Sequence, residues 1–582
     1  MCLVAIADNT GCLYGNLVKV GGVSGGTAWH FVGKGMPDLW GWNVTTTISD
    51  CGAFTIVRIP VRKPQNPSAD VPCCQSTMSK AMERRVFLYA HFNLRALLET
   101  ATQLRHTPCS CDPAQKPRSG SLNWAISLIF DDTVEWIFRS PRESPDVLAE
   151  TVAELLESEV ATMKYVKLHS SIPVPEVFCH SSTGSNAIGI SFILMSIAPG
   201  FPLGYFSWDP CPEGMISSRK PPPPLKKYHK EKIMRQLGAI TAQLYNLRFN
   251  SLGSLSEEHG EYRVAKCLSP QLIWHERDSL TIPRGPFQQD YEYYESLLEA
   301  FLLHIKELPL RQHAFFAPIP ELSQFQDLLS YQAAVGRWND FVAIGSKIDN
   351  SRNRTDYCVA GHFLREMIPL ICAPSSASSG FPLCHPDLST SNIFVDHDFN
   401  ITCIIDWAFA STVPISTLLA TPGLPHPRDE VGPALASIFQ DSFTRSIFPG
   451  SDGELNSSLW DSSCWARLTT LDGLQDYRYF TELYNSIYQA DGDIPQLFKE
   501  KLKENEFVEL ASILAEDDLP ASKTRSDEKS YFCMKGSSDE AVARKLTMVS
   551  ELSQAFVADK RLWRWIEKAL DDRCELNKLT AL

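Results

Sequence analysis

A chain of 582 residues, 44% of them apolar, can bury one large core or two ordinary ones without disulfide staples. Its 54 Lys and Arg stand against 68 Asp and Glu, a formal net charge of −14, and with no extended basic block this argues against nucleic acid or an anionic membrane as the main partner. The 17 cysteines show no C-x-x-C pair with zinc-finger spacing and read as reduced thiols, Met1 to Ala7 is too short for a signal h-region before Asp8, and no apolar run reaches the roughly eighteen residues a bilayer span needs, so the expectation is a cytoplasmic protein.

Residues 1 to about 90 carry few charges, many Gly and Thr, and no periodicity long enough to assign. Gly21-Gly22-Val23-Ser24-Gly25-Gly26 has the look of a phosphate-cradling loop, but no Gly-Lys-Ser/Thr follows and a turn is the simpler reading. A short helical pattern runs from Phe92 to about Gln103. Asn123 to Phe130 and Val134 to Arg139 then flank Asp131-Asp132-Thr133, a β-hairpin signal.

Asp146 sits where an N-cap would open a long helix ending near His169. Leu148, Val152, Leu155, Met163 and Val166 form its apolar stripe, and Glu159 occupies the missing step. A carboxylate on a buried face calls for a cationic partner. Pro173 and Pro175 mark the exit, and Ala187 to Ile197 reads as a buried strand ending at Pro199-Gly200. Beyond it the pattern turns helical: a proline-rich loop from Ser217 to Pro224, helices over Lys230 to Leu247 and Gln289 to Lys306, and helical insertion material over 310 to 375. From 495 to 582, charged helices alternate with a polar loop near 520 to 530, and an apolar helix from Leu552 to Leu570 carries Trp563 and Trp565 as packing anchors.

The chemistry concentrates in Phe381 to Ser411. His385, Asp387 and Asn392 follow the spacing H-x-D-x-x-x-x-N, and Asp406 lies fourteen residues beyond Asn392, after the apolar run Ile401 to Ile405. Kinases set their catalytic and metal residues in this order. A carboxylate, Asp387, would receive the acceptor hydroxyl's proton, and hard oxygen donors on Asn392 and Asp406 would hold magnesium against the nucleotide phosphates. A hairpin around His397-Asp398-Phe399-Asn400 would bring Asn392 and Asp406 to the same end. For Asp387 taken alone an ordinary loop carboxylate is the plainer reading; the four residues at these spacings, followed by Trp407, carry the catalytic one.

This passage resembles the aminoglycoside phosphotransferase and choline kinase family, particularly its large fungal branch, in which H-P-D-L-x-x-x-N-I and I-D-W recur. The likeness runs from about Phe92 to Thr421 and includes Trp136-Ile137-Phe138-Arg139, Ser158-Glu159-Val160-Ala161-Thr162-Met163, Ile172-Pro173-Val174-Pro175 and Ile193-Leu194-Met195. It implies an α+β, two-lobed protein-kinase-like fold: a small antiparallel-sheet N-lobe with one long helix, and a larger, mainly helical C-lobe. The corresponding division is an extension of unclear structure over 1–91, the N-lobe over 92–200, the C-lobe over 201–500 with its catalytic loop at 383–411, and a helical extension over 501–582.

The resemblance further implies ATP and Mg2+ in the cleft and a small hydroxylated molecule as acceptor, a fungal metabolite among the candidates. Arg139 stands where the family places its phosphate-pairing cation and Glu159 where that cation's helix partner stands; Arg replaces the lysine of the wider kinase pattern and grips phosphate bidentately. The backbones of Met195 and Ser196 would meet adenine, and His385 would orient the catalytic loop. Only Gly120-Ser121-Leu122-Asn123 occupies the place of a phosphate-covering loop. A nucleotide-binding pseudokinase or scaffold is the competing reading, suggested by Arg139 and the poor glycine loop. Phosphorylation of protein side chains ranks below both, because no activation segment with Ala-Pro-Glu follows Asp406. Oligomeric state is not readable from the sequence.

Overall fold

In the computed structural model, the described residues are the backbone of five strands between positions 3 and 58, and residues 90–520 except 113–114, 143–146, 209–221, 311–314, 317–348, 373–379, 428, 430, 448–457 and 472–475, together with 522–523 and 526. Gly21 to Gly26, Asp146, much of the proline loop, the middle of the expected insertion and the helix expected over Leu552 to Leu570 lie outside them. The chain divides into two units, Met1–Ser79 and Lys80–Leu582.

The segment that shows no clear periodicity forms strands: Leu3–Asp8, Gly11–Val20, Ala28–Gly33, Val44–Ile48 and Phe54–Arg58 (β1 to β5) pair in chain order as one antiparallel meander. Four of these runs are only five or six residues long, too short for alternation to stand out from composition.

The second unit has the expected α+β, two-lobed arrangement. Asn93 caps the helix Leu94–Arg105, its side chain accepting from the Ala96 amide at 3.1 Å. Cys109–Ser110 (β6), Arg118–Ser119 (β7), Asn123–Phe130 (β8), Glu135–Pro141 (β9), Val177–Ser181 (β10) and Phe192–Ser196 (β11) form a sheet in the order β10-β11-β9-β8-β6, with β7 also on β8. Alternation along β8 buries Trp124, Ile126, Leu128 and Phe130, which pack with Leu97 and Ala101 of the first helix.

Across the other face runs the long helix Ala149–His169. Its buried face differs from the expected stripe at the start: Leu148 is 53% exposed, Val152 and Leu155 are half-buried, and the buried run begins at Leu156. The first turn is met by the other lobe instead, where Asp278 accepts a hydrogen bond from the Leu148 amide at 2.6 Å.

Phe201–Pro202 (β12) leads into that lobe, which holds the helices Lys227–Asn246, Asp290–Glu307 and Ser351–Ile371 and the short strands Arg248–Phe249 (β13), Leu255–Glu258 (β14), Glu261–Val264 (β15), Phe381–Cys384 (β16), Ile393–Val395 (β17), Ile401–Ile404 (β18) and Ser411–Thr412 (β19). Helices from Pro433–Ile447 to Asn505–Leu514 complete it around a core that includes Tyr294, Phe301, Tyr357, Trp465, Phe480 and Phe498.

The lobes join where β12 pairs with β17, Phe201 opposite Val395. Gly200, at φ +88°, makes that approach possible, since a Cβ there would lie 2.4 Å from the Val395 carbonyl oxygen. Gly200→Ala should therefore destabilise the protein by about 2 kcal/mol or more, read as a lower urea midpoint; an unchanged midpoint would show that the junction relaxes at no cost.

Candidate active site

The hairpin of β17 and β18 sets the site. Ile393 opposes Ile404, and the Ile405 amide donates to the Asn392 carbonyl at 3.0 Å, so Asn392 and Asp406 leave the same end of the ladder. Asp406 adopts φ +63°, a left-handed turn residue that swings the chain away from the strand direction. The Trp407 indole, fully buried, donates to the Ile404 carbonyl at 2.9 Å and locks the turn.

His385 holds the loop on the other side. Its Nδ1 accepts from the Asp387 amide at 3.1 Å, which leaves Nε2 as the donor to the Ile405 carbonyl, also at 3.1 Å. The ring packs edge-on against Trp407 at 4.6 Å between centroids. Burial lowers the imidazole below its ordinary value, against the pull of the Ile405 carbonyl and of Asp387. Both nitrogens of the neutral ring are thereby engaged in hydrogen bonds to the backbone.

Asn392 Nδ2 donates to Asp387 Oδ2 at 2.9 Å and to the Asp387 carbonyl at 3.0 Å. Two consequences follow. The Asn392 amide group is oriented with its nitrogen toward Asp387, so its oxygen carries the lone pairs that a cation could share, and Asp387 Oδ1 is buried with no hydrogen-bond partner among the described residues. An orphaned carboxylate oxygen beside a fixed partner needs either a proton donor or a cation to offset its desolvation.

Arg139, on β9, reaches this end from the sheet. Nη2 binds Glu159 Oε2 of the long helix, and Nη1 lies 3.4 Å from Asp406 Oδ1. The Arg139 side chain is 11% exposed, Glu159 4% and Asp406 35%, so the pair is dry and the third group faces outward. Burial pushes the Glu159 carboxyl above its ordinary value against the opposing pull of Arg139. Burial also acts to lower the Arg139 guanidinium, but Glu159 and then Asp406 outweigh it and it ends raised.

Met195 is buried in β11 opposite Ile137. The Ser196 amide already donates to the Glu176 carbonyl at 2.8 Å and its hydroxyl accepts from the Glu176 amide at 2.9 Å, so a backbone donor for a bound base would come from the residues after it. Gly120 to Asn123 forms a closed tip: the Gly120 amide bonds the Asn123 carbonyl at 2.9 Å, and Arg142 holds the Gly120 and Leu122 carbonyls, each at 2.8 Å. Arg142 and the capping Asp278 were not singled out by sequence; both act across gaps that no local pattern reports.

The donor types fit a divalent cation held jointly with phosphates. Among the described residues there is no group of three or more His, Cys, Asp or Glu able to hold a metal alone, whereas Mg2+ is commonly held by one or two protein oxygens with substrate phosphates completing the shell.

No family model matches the chain. Among curated proteins it is 27% identical over 326 residues to a subtelomeric hrmA-associated cluster protein of Aspergillus fumigatus, covering 52% of this chain and 58% of that one. It is 26% identical over 290 residues to altered inheritance of mitochondria protein 9, mitochondrial, of Vanderwaltozyma polyspora, covering 46% and 41%. The chain thus spans about half the length of the curated relatives it matches. The solved structures it resembles include macrolide 2'-phosphotransferase MphH from Brachybacterium faecium, at 13% identity over 73% of this chain and all of that one with a TM-score of 0.31. A putative fructosamine-3-kinase from Thermobifida fusca is likewise 13% identical, over 68% and 98%, with a TM-score of 0.34.

Because folding keeps His385 neutral while the unfolded chain protonates it below about pH 6.5, the unfolded state binds the extra proton and stability falls as pH drops from that value toward the lowered folded one. The His385 contribution should approach about 1.4 kcal/mol per pH unit in that window. His385→Gln should flatten the slope of urea-unfolding free energy between about pH 6.5 and 5; an identical slope in the variant would show that the ring protonates freely in place.

Proposed function

We propose that this protein is an ATP- and Mg2+-dependent O-phosphotransferase acting on a small hydroxylated molecule. The observation that carries the reading is Asp387: Asn392 fixes one of its carboxylate oxygens, and the other is buried and, among the described residues, without a hydrogen-bond partner beside the turn that presents Asp406. Bound Mg2+·ATP would supply the phosphoryl group, with Asn392 and Asp406 as the protein's ligands to the metal. Asp387 Oδ1 accepts the proton of the acceptor hydroxyl as that oxygen bonds to the γ-phosphorus, whose bond to the β–γ bridging oxygen breaks so that ADP leaves. Arg139, kept charged and oriented by Glu159, pairs with nucleotide phosphate and with Asp406. His385 keeps the Asp387 backbone in place without taking part in proton transfer.

A second reading is supported by one contact. Arg139 already neutralises Asp406 in part, as a metal would, and a protein that used this pair in place of Mg2+ would bind nucleotide without transferring phosphate.

The acceptor is to be sought among amino alcohols, sugars, aminoglycoside-like antibiotics and fungal metabolites. The setting we propose is cytoplasmic; no helix among the described residues is long and apolar enough to cross a membrane. A fluorescent fusion in cells distinguishes that setting from the mitochondrial one in a matched relative's name.

Purified full-length protein should gain thermal stability with Mg2+·ATP and make a phosphoester with the true acceptor. Asp387→Asn should keep the nucleotide-dependent shift and lose about 10²- to 10⁴-fold in kcat. Full turnover in Asp387→Asn would remove Asp387 as the base; metal-independent ATP stabilisation with no transfer across an acceptor panel would favour the second reading.

A further inference from the structure

The helix that carries Glu159 is fastened along its whole length to the helical lobe. At its first turn the N-cap residue Leu148 has no side chain that can cap, and Asp278 Oδ2 accepts from the Leu148 amide at 2.6 Å. One turn on, Glu154 Oε2 pairs with Lys266 Nζ at 2.5 Å. Further along, Lys164 Nζ meets Glu257 Oε2 at 2.8 Å, and Tyr165 packs on Phe249 and Tyr262 with ring centroids 5.0 and 5.2 Å apart. Past its end, the Ser171 amide and hydroxyl both donate to Gln243 Oε1, at 2.9 and 2.8 Å.

Of the groups facing it, Gln243 belongs to the helix Lys227–Asn246 and Phe249 to β13, while the remaining groups lie on one stretch of chain. Glu257 and Tyr262 sit on the β14–β15 hairpin, Lys266 and Asp278 just beyond. Arg277, fully buried, anchors that stretch by donating to the Gln271 and Thr469 carbonyls at 2.6 and 2.8 Å. Arg284 holds the Arg277 and Leu280 carbonyls, at 2.7 and 3.0 Å, and faces both Asp278 and Glu154. The base of the hairpin is tied in turn to β19, six residues after Asp406: Thr412 Oγ1 accepts from the Gly253 amide at 2.8 Å, and the Thr412 amide donates to the Gly253 carbonyl at 2.8 Å. A Cβ on Gly253 would lie 2.1 Å from the Ala265 carbonyl oxygen, so the two legs of the hairpin close at a point that admits no side chain.

The ties therefore close a ring: Glu159, Arg139, Asp406, Thr412, the β14–β15 hairpin and back to the Glu159 helix. In a two-lobed transferase whose Glu159 helix touched only its own sheet, rotation of that helix could break the Arg139–Glu159 pair and switch the site off. Here such a rotation would have to break an amide cap, two ion pairs and an aromatic cluster together.

We propose that Glu257, Lys266 and Asp278 are positioning residues that brace the Glu159 helix against the helical lobe, so that the Arg139–Glu159–Asp406 arrangement stands assembled without an activating modification or partner; the proposal rests on the nucleotide site described above. The brace acts through Arg139 on nucleotide affinity and touches neither nucleotide nor acceptor.

Charge reversal and its repair test this. In full-length protein, Lys266→Glu, Glu154→Lys, Glu257→Lys and Lys164→Glu, each alone, should weaken binding of Mg2+·ATP, measured by calorimetry, by about three- to tenfold, a modest coupling between distant sites. The swapped doubles Lys266→Glu/Glu154→Lys and Glu257→Lys/Lys164→Glu should restore it to within about twofold. Amide exchange over residues 156–166 should rise in the singles and recover in the doubles.

Singles that lower the melting temperature but leave the affinity unchanged would overturn the proposal, as would doubles that fail to restore affinity. Where a reversal prevents folding, Lys266→Gln and Glu257→Gln replace it under the same criteria. A wild type that shows no Mg2+·ATP binding would remove the nucleotide site itself. The brace is then decided by exchange alone: unchanged protection over 156–166 in the singles overturns it, and raised exchange repaired by the swaps upholds it.

Discussion

The ion pair between Arg139 and Glu159 is the constraint around which the second unit is arranged. Both groups are withdrawn from water, at 11% and 4% exposure, and a buried charge without its partner costs about 3–5 kcal/mol. Neither strand nor helix can therefore shift alone. The register of β9 against β11, with Arg139 opposite Ile193, and the phase of the helix, with Glu159 on the same face as Leu156, Val160 and Met163, both serve to keep the pair in contact. Asp406 joins as the third member, the one of the three that faces outward.

Around this pair, polar groups are settled by short local bonds and then sealed with apolar surface. His385, Asp387, Asn392 and Ile405 exchange bonds within one loop, while Trp407 covers them. A formal charge of −14 over the chain does not set the potential beside Arg139, because a guanidinium within a few ångströms dominates there and distant exposed carboxylates are screened.

Much of this architecture is legible from residues near one another in sequence. The Asp131-Asp132-Thr133 turn between two apolar runs specifies the β8–β9 hairpin, and the H-x-D-x-x-x-x-N spacing with Ile401 to Ile405 specifies the loop and hairpin of the site. What escapes is non-local. Asp278 caps a helix 130 positions earlier, so the long helix starts at Ala149 under a cap that no N-terminal pattern shows. Leu148, expected at the head of the apolar stripe, precedes the helix as its N-cap and stays exposed. The sequence pattern sets Ser196 where a base-contacting amide is expected, yet that amide is spent on Glu176, a bond visible only once β10 lies beside β11. The five strands between Leu3 and Arg58 escape for a different reason: brief runs of Gly, Thr and apolar residues carry too few periods to separate strand from turn.

The Ile404 amide donates to the Pro173 carbonyl at 2.8 Å, which means that β18, the outermost strand of its three-stranded sheet, is covered by the Ile172-Pro173-Val174-Pro175 segment. Prolines accept but cannot donate along a ladder. Pairing therefore stops at that segment: it shields the exposed border of the strand leading to Asp406 and offers no template of its own to a second chain. The same short stretch that carries the chain from the Glu159 helix back to the sheet thus also caps an edge strand, the kind of border that would otherwise be open to pairing with another chain.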